Sequence, residues 1–186
     1  MKNIIDEIDN SILDNIMMED YEMIDNLEYQ GYFKAPSSKE HYRLLTHISN
    51  KFDDSIFIDI GTLKGSSALA LSKNKTNTVY SFNLRQELQL KQKPENVKFI
   101  VDDVMNPKYT EILLKSKLIL LDTFHDGTFE NTFYDYLKNI NYQGTLLLDD
   151  IKLNNAMIAF WNSIDKQKFD ISSIGHISGT GIVYFN

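Results

Sequence analysis

The sequence predicts an α/β protein built on one central, mostly parallel sheet. From residue 55 onward, apolar strand-like runs alternate with helix-like segments, the arrangement that packs helices on both faces of such a sheet. Two of these runs, 118–121 and 146–148, are continuously apolar, as expected for central strands buried on both sides. The last two runs, 169–174 and 181–185, are separated by a segment too short for a crossover, so we expect them to be antiparallel.

The elements between these landmarks follow in a regular order. Apolar residues at helical spacing predict the helices, and short apolar runs predict the strands. The polar connection 83–96 carries only a weak helical pattern. Strands are predicted over 55–60, 78–82, 97–101, 117–122 and 144–149, and helices over 65–73, 107–115, 128–140 and 153–165.

Residues 1–52 are predicted to form a helical cap, and residues 53–186 the domain that contains the sheet. Apolar residues recur at helical spacing within Ile4–Ile16, separated by acidic and amide residues. Residues 28–36 break this period and are predicted to be a loop rich in aromatic residues. The segment Ser37–Glu40 has the spacing of a capping box, which predicts a helix with the serine as its N-cap.

Composition limits the possible classes of function. The 186-residue chain is 42% hydrophobic and 24% charged, which is ordinary for one globular domain. Its formal net charge of −7 disfavours nucleic acid as a partner, because phosphate backbones are bound by clustered Lys and Arg. Without cysteine there are no disulfides, zinc–thiolate sites or thiol catalysis. We find no signal-peptide pattern and no membrane-spanning window, so we expect a cytoplasmic protein without membrane contact.

The segment Ser55–Ser72 carries the strongest functional signal. A short apolar run ends near Asp59, turns on Gly61 and Gly65, and continues as a segment of small residues with helical character. A turn of this kind lets the backbone approach a nucleotide-like cofactor, because glycine has no Cβ. The spacing G-x-x-x-G matches neither the dinucleotide fingerprint nor the phosphate loop. The turn therefore predicts a cofactor pocket of another kind.

Five segments of the chain together follow a family pattern. They are F-I-D-I-G-T-L-K-G-S-S, V-Y-S-F-N, V-K-F-I-V-D-D-V, L-I-L-L-D-T-F-H-D-G-T-F-E and G-T-L-L-L-D-D-I. In this order they resemble the class I S-adenosylmethionine (SAM)-dependent methyltransferases, and most of all the small-molecule O-methyltransferases of the sugar and catechol types. The resemblance covers residues 55–186. It implies a Rossmann-like class I methyltransferase fold, in which a seven-stranded, mostly parallel sheet with a C-terminal antiparallel hairpin carries helices on both faces.

The same resemblance implies an activity and a first set of binding residues. The activity is transfer of a methyl group from SAM to a small-molecule acceptor, most simply the hydroxyl oxygen of a sugar or a phenol. The residues implied at the methionine end of the cofactor also suit a plain strand–helix turn. They are Asp59, Gly61, Thr62, Gly65 and Ser66.

Two further cofactor positions are implied where the second and third strands end. The family has an acidic residue for the ribose hydroxyls at the end of the second strand, but this chain has Asn83. An amide can still bind hydroxyls, although without the strength of a charged acceptor. Asp103 resembles the acid that accepts from the adenine amine. Asp102 is an alternative for that role, and both acids also suit a solvated turn.

Three aspartates follow the fourth and fifth strands, where ligands are held in open α/β sheets. Asp122, Asp149 and Asp150 would repel one another unless a cation lay among them, and Mg²⁺ prefers such oxygen ligands. In the metal-dependent relatives, acids at these positions hold a metal that polarises the acceptor hydroxyl. In the alternative interpretation, Asp122 contacts the SAM ammonium group while Asp149 and Asp150 cap the next helix. Both interpretations stay open.

His125 is the best candidate for a general base, together with Asp122 as the second catalytic residue. An unperturbed histidine titrates near neutrality, with a pKa of about 6.5. A backbone-bonded, purely structural His125 is the alternative. Phe124 stands where sugar-type relatives have an acid proposed as the base, so that role does not transfer. His41, His47 and His176 are expected to be structural or surface residues.

A second interpretation of the whole chain is a non-catalytic binding or assembly module that retains the fold. Asn83 and Phe124 favour it, because both depart from the family pattern. An oxidoreductase is opposed by the glycine spacing and by the antiparallel ending. The N-terminal helix leaves a homodimer open, and the acceptor itself cannot be named from the sequence.

Overall fold

The computed structural model describes residues 8–185. Four helical segments precede the sheet: α1 (Asn10–Asp14), a 3-10 helix (Glu19–Met23), α2 (Leu27–Lys34) and α3 (Tyr42–Ser49). Apolar side chains of this region, such as Leu13 and Phe33, are buried in the same core as strand residues. The N-terminal region is therefore packed onto the sheet. Within residues 8–185, no helix is both long and apolar enough to cross a membrane.

A seven-stranded sheet forms the centre of the molecule, with strand order β3-β2-β1-β4-β5-β7-β6. Strands β1 to β5 are parallel, and β7 runs antiparallel to both of its neighbours, β5 and β6. This architecture confirms the predicted sheet and its C-terminal hairpin. The strands are β1 (Ile56–Ile60), β2 (Thr78–Asn83), β3 (Val97–Val101), β4 (Leu118–Leu121), β5 (Thr145–Leu148), β6 (Gln167–Asp170) and β7 (Gly181–Tyr184).

The register of the parallel strands brings the functional residues to one edge. Ile60 at the end of β1 pairs with Phe82 of β2 and with Leu121 of β4, and Leu121 pairs with Leu148 of β5. Because these strands end level with one another, the residues that follow them meet at the carboxyl edge of the sheet. This is the edge at which open α/β sheets hold their ligands.

Helices cover both faces of the sheet, as predicted. Successive residues of a strand point to opposite faces, so in β4 Leu120 packs with the N-terminal helices while Ile119 packs with the helices that follow β4 and β5. Both side chains are buried, which explains the continuously apolar sequence of this strand. The remaining helices are α4 (Ser66–Leu71), a 3-10 helix (Pro107–Tyr109), α5 (Thr110–Lys115), α6 (Thr128–Asn139) and α7 (Asn155–Ser163).

Several local predictions are wrong. Residues 28–36 are mostly helical, because the Asn26 side chain caps α2 by accepting from the amide of Glu28 at 3.1 Å. Ser37 does not begin a helix; its hydroxyl donates to Asp14 at 2.7 Å, and α3 begins at Tyr42.

The connection between β2 and β3 has no helix, and the first hairpin strand begins earlier than predicted, at Gln167. The N-terminal part of the predicted Ile4–Ile16 helix lies outside the described residues.

Candidate functional site

A cavity of about 330 Å³ opens at the carboxyl edge of the sheet, beyond the ends of β1, β2, β3 and β4. Its volume lies in the range of small-molecule sites. Five residues predicted from the sequence line this cavity: Gly61, Asn83, Asp103, Asp122 and His125. The structure therefore brings together residues that are far apart in the chain, such as Gly61 and His125, which are 64 positions apart.

Two glycines shape the turn after β1. Gly61 and Gly65 have φ angles of +105° and +102°, in the left-handed region that favours glycine. A Cβ on Gly61 would lie 1.5 Å from the carbonyl oxygen of Asp122, and one on Gly65 would lie 2.8 Å from Cδ1 of Leu88. No side chain fits at Gly61, where bare backbone borders the cavity, and the positive φ angle disfavours one at Gly65.

The other residues predicted at this turn lie behind the cavity wall. Asp59 is fully buried and its carboxylate accepts a hydrogen bond from the Ser81 hydroxyl at 2.5 Å. The Ser81 hydroxyl also lies 2.5 Å from the hydroxyl of Thr62. Burial raises the pKa of Asp59 to about 6, although the Ser81 hydrogen bond opposes that shift. Ser66 is the buried first residue of α4.

The two acids that follow β3 have different surroundings. Asp102 accepts a hydrogen bond from the Tyr109 hydroxyl at 2.9 Å and pairs with Lys108 at 2.5 Å. Asp103 accepts from the amide of Met105 at 2.9 Å, which fixes its carboxylate in the turn. Both acids line the cavity, so the predicted choice between them stays open.

Three imidazoles and four carboxylates meet beyond the ends of β4 and β5. We call this group the histidine–carboxylate cluster. Its side chains come from the segment before α3, from the ends of two strands, and from the loops 122–127 and 171–180. The members are Glu40, His41, Asp122, His125, Asp149, Asp150 and His176.

Each aspartate of the cluster lies against an imidazole. His41 Nδ1 is 3.2 Å from Asp149 Oδ1. His125 Nε2 is 3.2 Å from Asp122 Oδ1 and 3.4 Å from Asp150 Oδ2. These contacts link the cavity, which contains Asp122 and His125, to the buried part of the cluster.

His176 closes the cluster from the hairpin side. Its Nδ1 lies 2.9 Å from Asp150 Oδ1, and its Nε2 lies 3.7 Å from Glu40 Oε2. The Ser178 hydroxyl donates to the same Asp150 oxygen. These hydrogen bonds outweigh burial and lower the pKa of Asp150.

The imidazoles compensate the negative charge of the carboxylates. Burial works to lower the pKa of His41, but Asp149 outweighs it and the pKa rises to about 10. Burial also opposes protonation of His125, yet Asp122 and Asp150 raise its pKa to about 9. Both imidazoles are therefore mainly protonated at neutral pH, and the expectation that His125 titrates near neutrality is wrong because Asp122 and Asp150 stabilise its charged form.

The loop that carries His125 is held in a strained conformation. His125 has a φ angle of +54° although it is not glycine, a geometry that persists only where surrounding contacts enforce it. The buried carboxylate of Glu130 accepts from the His125 amide at 3.0 Å and from the Thr123 hydroxyl at 2.8 Å. Asn154 donates to the His125 carbonyl at 2.8 Å. The contacts of Glu130 and Asn154 thus fix the backbone that carries the imidazole.

The predicted magnesium site has the right aspartates but other partners as well. Two sets of donor atoms lie within 4.8 Å of one another: His41, Asp122 and Asp149, and His125, Asp149 and Asp150. Each set includes a nitrogen donor, whereas Mg²⁺ prefers oxygen ligands only. Each carboxylate also already has an imidazole partner. The donor set therefore fits a magnesium ion poorly, and magnesium binding stays a prediction.

The alternative interpretation, that Asp149 and Asp150 cap a helix, is wrong. The helix after β5 begins at Asn155, and its N-cap is Asn154, whose side chain accepts from the Met157 amide at 3.0 Å. The two aspartates contact the imidazoles of the cluster instead.

Sequence reasoning missed three members of the cluster: Glu40, His41 and His176. Of the two expected alternatives for His41, a structural or a surface position, the surface one is excluded, because the residue is only 3% exposed. His41 and Asp149 are 108 residues apart in sequence, and no spacing rule connects them. His47, by contrast, lies outside the cluster in the last turn of α3.

Comparison with known proteins identifies the fold. No protein-family model matches the chain, and no curated protein matches its sequence significantly. A caffeoyl-CoA O-methyltransferase candidate from Staphylococcus aureus aligns with a TM-score of 0.64 and 12% identity, over 93% of this chain and 94% of its own. The methyltransferase PaMTH1 from Podospora anserina, determined with SAH bound, aligns with a TM-score of 0.57 and 13% identity, over 78% and 77%.

An rRNA methylase candidate from Clostridium thermocellum aligns with a TM-score of 0.51 and 14% identity, over 80% of this chain and 97% of its own. At such identities the likeness establishes the fold alone. The chain has the Rossmann-like class I methyltransferase fold, as its sequence predicts.

Proposed function

We propose that this protein transfers a methyl group from SAM to the hydroxyl oxygen of a small molecule. The observation that carries the proposal is the cavity at the carboxyl edge of the sheet. Bare backbone at Gly61, which adjoins the backbone of Asp122, borders it, and Asp122 and His125 line it as well. A cofactor lying along Gly61 would present its methyl group toward the loop that carries His125.

In this proposal the cofactor occupies the side of the cavity formed by β1, β2 and β3. Its methionine end would lie against Gly61, with the buried carboxylate of Asp59 and the side chains of Thr62 and Ser66 behind the turn. Its adenine amine would be accepted by Asp103 or by Asp102. Asp122 would lie near the positive charge of the cofactor.

Methyl transfer itself requires mainly positioning. A lone pair of the acceptor oxygen forms the new O–C bond while the C–S bond breaks, and its electron pair remains on sulfur in S-adenosylhomocysteine (SAH). His125 orients the acceptor oxygen; its pKa of about 9 leaves a minor neutral fraction at neutral pH, and that fraction takes the hydroxyl proton. Asp122, 3.2 Å from His125 Nε2, holds the imidazole toward the cavity.

The rim of the cavity supports an acceptor with an apolar surface. Leu63, Leu84 and Phe124 all line the cavity and are 39%, 56% and 71% exposed. Exposed apolar side chains grouped at the mouth of a pocket commonly mark a binding surface. A phenol-like acceptor fits this rim better than a sugar does. A nucleic-acid acceptor is less well supported, because the chain has a formal net charge of −7.

The first test is isothermal titration calorimetry with SAM and with SAH, each in Mg²⁺ and in EDTA. We expect micromolar binding of both ligands. Because the imidazoles already compensate the carboxylates, the affinity should change less than about twofold between the two buffers. A stronger dependence on Mg²⁺ would indicate that the aspartates do hold a metal.

The second test is methyl transfer to a panel of phenols and sugars, measured as SAH release by mass spectrometry. We expect His125→Gln to lower turnover by about 100-fold, in line with loss of acid–base catalysis, with little change in SAH affinity. His47→Gln is the matched control and should behave as wild type. Binding of SAH without turnover on any acceptor would favour the non-catalytic module instead.

A further inference from the structure

The cofactor side of the cavity lacks an acid at the position where this fold class commonly has one. In open α/β sheets that bind nucleosides, an acidic residue at the end of the second strand accepts hydrogen bonds from the ribose hydroxyls. Here β2 ends with Asn83. An amide side chain has two N–H donors and one carbonyl oxygen, so the contacts of Asn83 decide what it can offer to a ligand.

The amide nitrogen of Asn83 is already used within the protein. Its Nδ2 donates to the carbonyl oxygen of Arg85 at 2.8 Å and to Oε2 of Glu87 at 3.2 Å. Two bonds match the two donors of an amide group. Asn83 therefore acts on the loop that follows it, and it holds the carboxylate of Glu87 in place.

Glu87 has the properties that the strand end lacks. Its side chain lines the cavity together with Asn83. A carboxylate accepts several hydrogen bonds, so the bond from Asn83 leaves capacity for two ligand hydroxyls. The other acids of the cavity are more committed, since Asp102 pairs with Lys108 and Asp103 accepts from the amide of Met105.

The loop that carries Glu87 is anchored on both sides. Leu88 packs so closely on the glycine turn that a Cβ at Gly65 would lie 2.8 Å from it. At the next residue, the carbonyl oxygen of Gln89 accepts from the amide of Asp25 at 2.7 Å. Leu90 forms an isolated bridge with Ile24 of the N-terminal segment. The loop is thus clamped between the glycine turn and the N-terminal region, so Glu87 does not depend on ligand binding for its position.

We propose that Glu87, and not the residue that ends β2, supplies the carboxylate that binds the ribose hydroxyls of the cofactor. Asn83 is a positioning residue for that carboxylate. The proposal rests on the proposed binding of SAM, and it relocates the acid by four positions along the chain. It also explains how the departure at Asn83 is compatible with cofactor binding.

The test measures SAH binding by calorimetry for wild type and Glu87→Gln, with Glu95→Gln as the matched control. Glu95 is an exposed acid of the same connection that lines a different cavity. We expect E87Q to weaken SAH binding about tenfold or more, as for loss of charged hydrogen bonds, and E95Q to change it less than twofold. The 2′-deoxy analogue of SAH should bind more weakly to wild type, and E87Q should hardly weaken it further.

A relocation variant separates this role from a structural one. In the double variant Asn83→Asp, Glu87→Gln, the acid moves to the end of β2 and should restore most of the lost affinity. Equal binding by wild type and E87Q would overturn the proposal for Glu87 while leaving the proposed function intact. Failure of wild type to bind SAH at all would instead overturn both.

Discussion

At the β4–β5 end of the sheet edge, Asp122, Asp149 and Asp150 each lie within 3.2 Å of an imidazole nitrogen. At the β2 end, the first acid along the chain after the strand is Glu87, and its partner is the neutral amide of Asn83. Both regions place carboxylates at the same edge of one sheet. They differ in whether the protein itself supplies the opposite charge.

The difference indicates which end is preassembled and which end is prepared for a ligand. In the histidine–carboxylate cluster, raised pKa values keep His41 and His125 positively charged, so the negative charge is compensated internally. Breaking one member of such a buried group leaves an unpaired charge, which is costly. The hydrogen-bond partner of Glu87 is a neutral amide, so the loss of that partner would leave no unpaired counter-charge. The remaining acceptor capacity of Glu87 is available to hydroxyl donors.

Gly61 joins these two regions, and replacing it should give the largest effect. A Cβ at this position would overlap the Asp122 carbonyl oxygen at 1.5 Å, and the φ angle of +105° disfavours any other residue. We expect Gly61→Ala to lose about 4 kcal/mol or more of unfolding free energy, measured by denaturant titration. The control is Gly31→Ala in α2, where nothing lies within 4 Å, and it should be neutral or slightly stabilising. Near-wild-type stability of G61A would show that the two regions are not rigidly joined.

The second-largest effect is expected from the histidine–carboxylate cluster, in the pH dependence of the free energy of unfolding. The folded pKa of His41, about 10, exceeds its ordinary value of 6.5. Its contribution is therefore fully present below pH 6.5 and is lost as the pH rises toward 10. We expect Asp149→Asn to lose about 2 to 3 kcal/mol at pH 6.5, and to show a much flatter decline between pH 7 and 10 than wild type.

Denaturant unfolding of wild type and of Asp149→Asn at several pH values measures both the loss of stability and its pH dependence. His47→Gln serves as the control, because His47 lies on α3 outside the cluster, and its curve should follow wild type. If wild type is equally stable at pH 7 and pH 10, the imidazoles are neutral and some other cation compensates the aspartates.

Much of the fold could be predicted because buried parallel strands carry a strong local signal. Residues 118–121 form β4 almost as predicted, since both faces of that strand are covered and every residue must be apolar. The N-terminal region was harder, because its order depends on distant packing. Gly31 and the surrounding aromatic residues hide the period of α2, which is fixed by the Asn26 cap and by burial of Phe33.

The candidate site also contains residues that could be predicted from the sequence and residues that could not. Asp122 and Asp149 were predicted to share an edge, because strand ends in a parallel sheet meet. His41 and His176 were not predicted in the site, since they arrive from a helix start and a hairpin loop with no spacing rule to link them to those strands. Glu87 was hidden for a related reason: its position depends on the side chain of Asn83 and on the path of a loop.

Asp59 gives the smallest and most direct test of the comparison, because it is a buried acid behind the cavity wall whose hydrogen-bond donor is the neutral Ser81 hydroxyl rather than an imidazole. Burial raises its folded pKa to about 6, above the value of about 3.9 in unfolded chains. The ionised carboxylate therefore costs stability, and this cost appears as the pH rises from about 4 through 6. We expect Asp59→Asn to be about 1 to 2 kcal/mol more stable than wild type at pH 7, and equal to it at pH 4.

The same substitution should weaken SAH binding. The positive charge of the proposed cofactor would compensate the ionised carboxylate of Asp59, and the substituted amide has no charge to be compensated. Thermal unfolding and calorimetry on one preparation can measure the two effects together. Asp54→Asn, at an exposed position just before β1, should leave both unchanged. A variant D59N that is more stable and binds SAH as well as wild type would show that this acid is buried for a reason other than the cofactor. Loss of both stability and binding would mean that the charged carboxylate mainly stabilises the fold, through its hydrogen bond with Ser81.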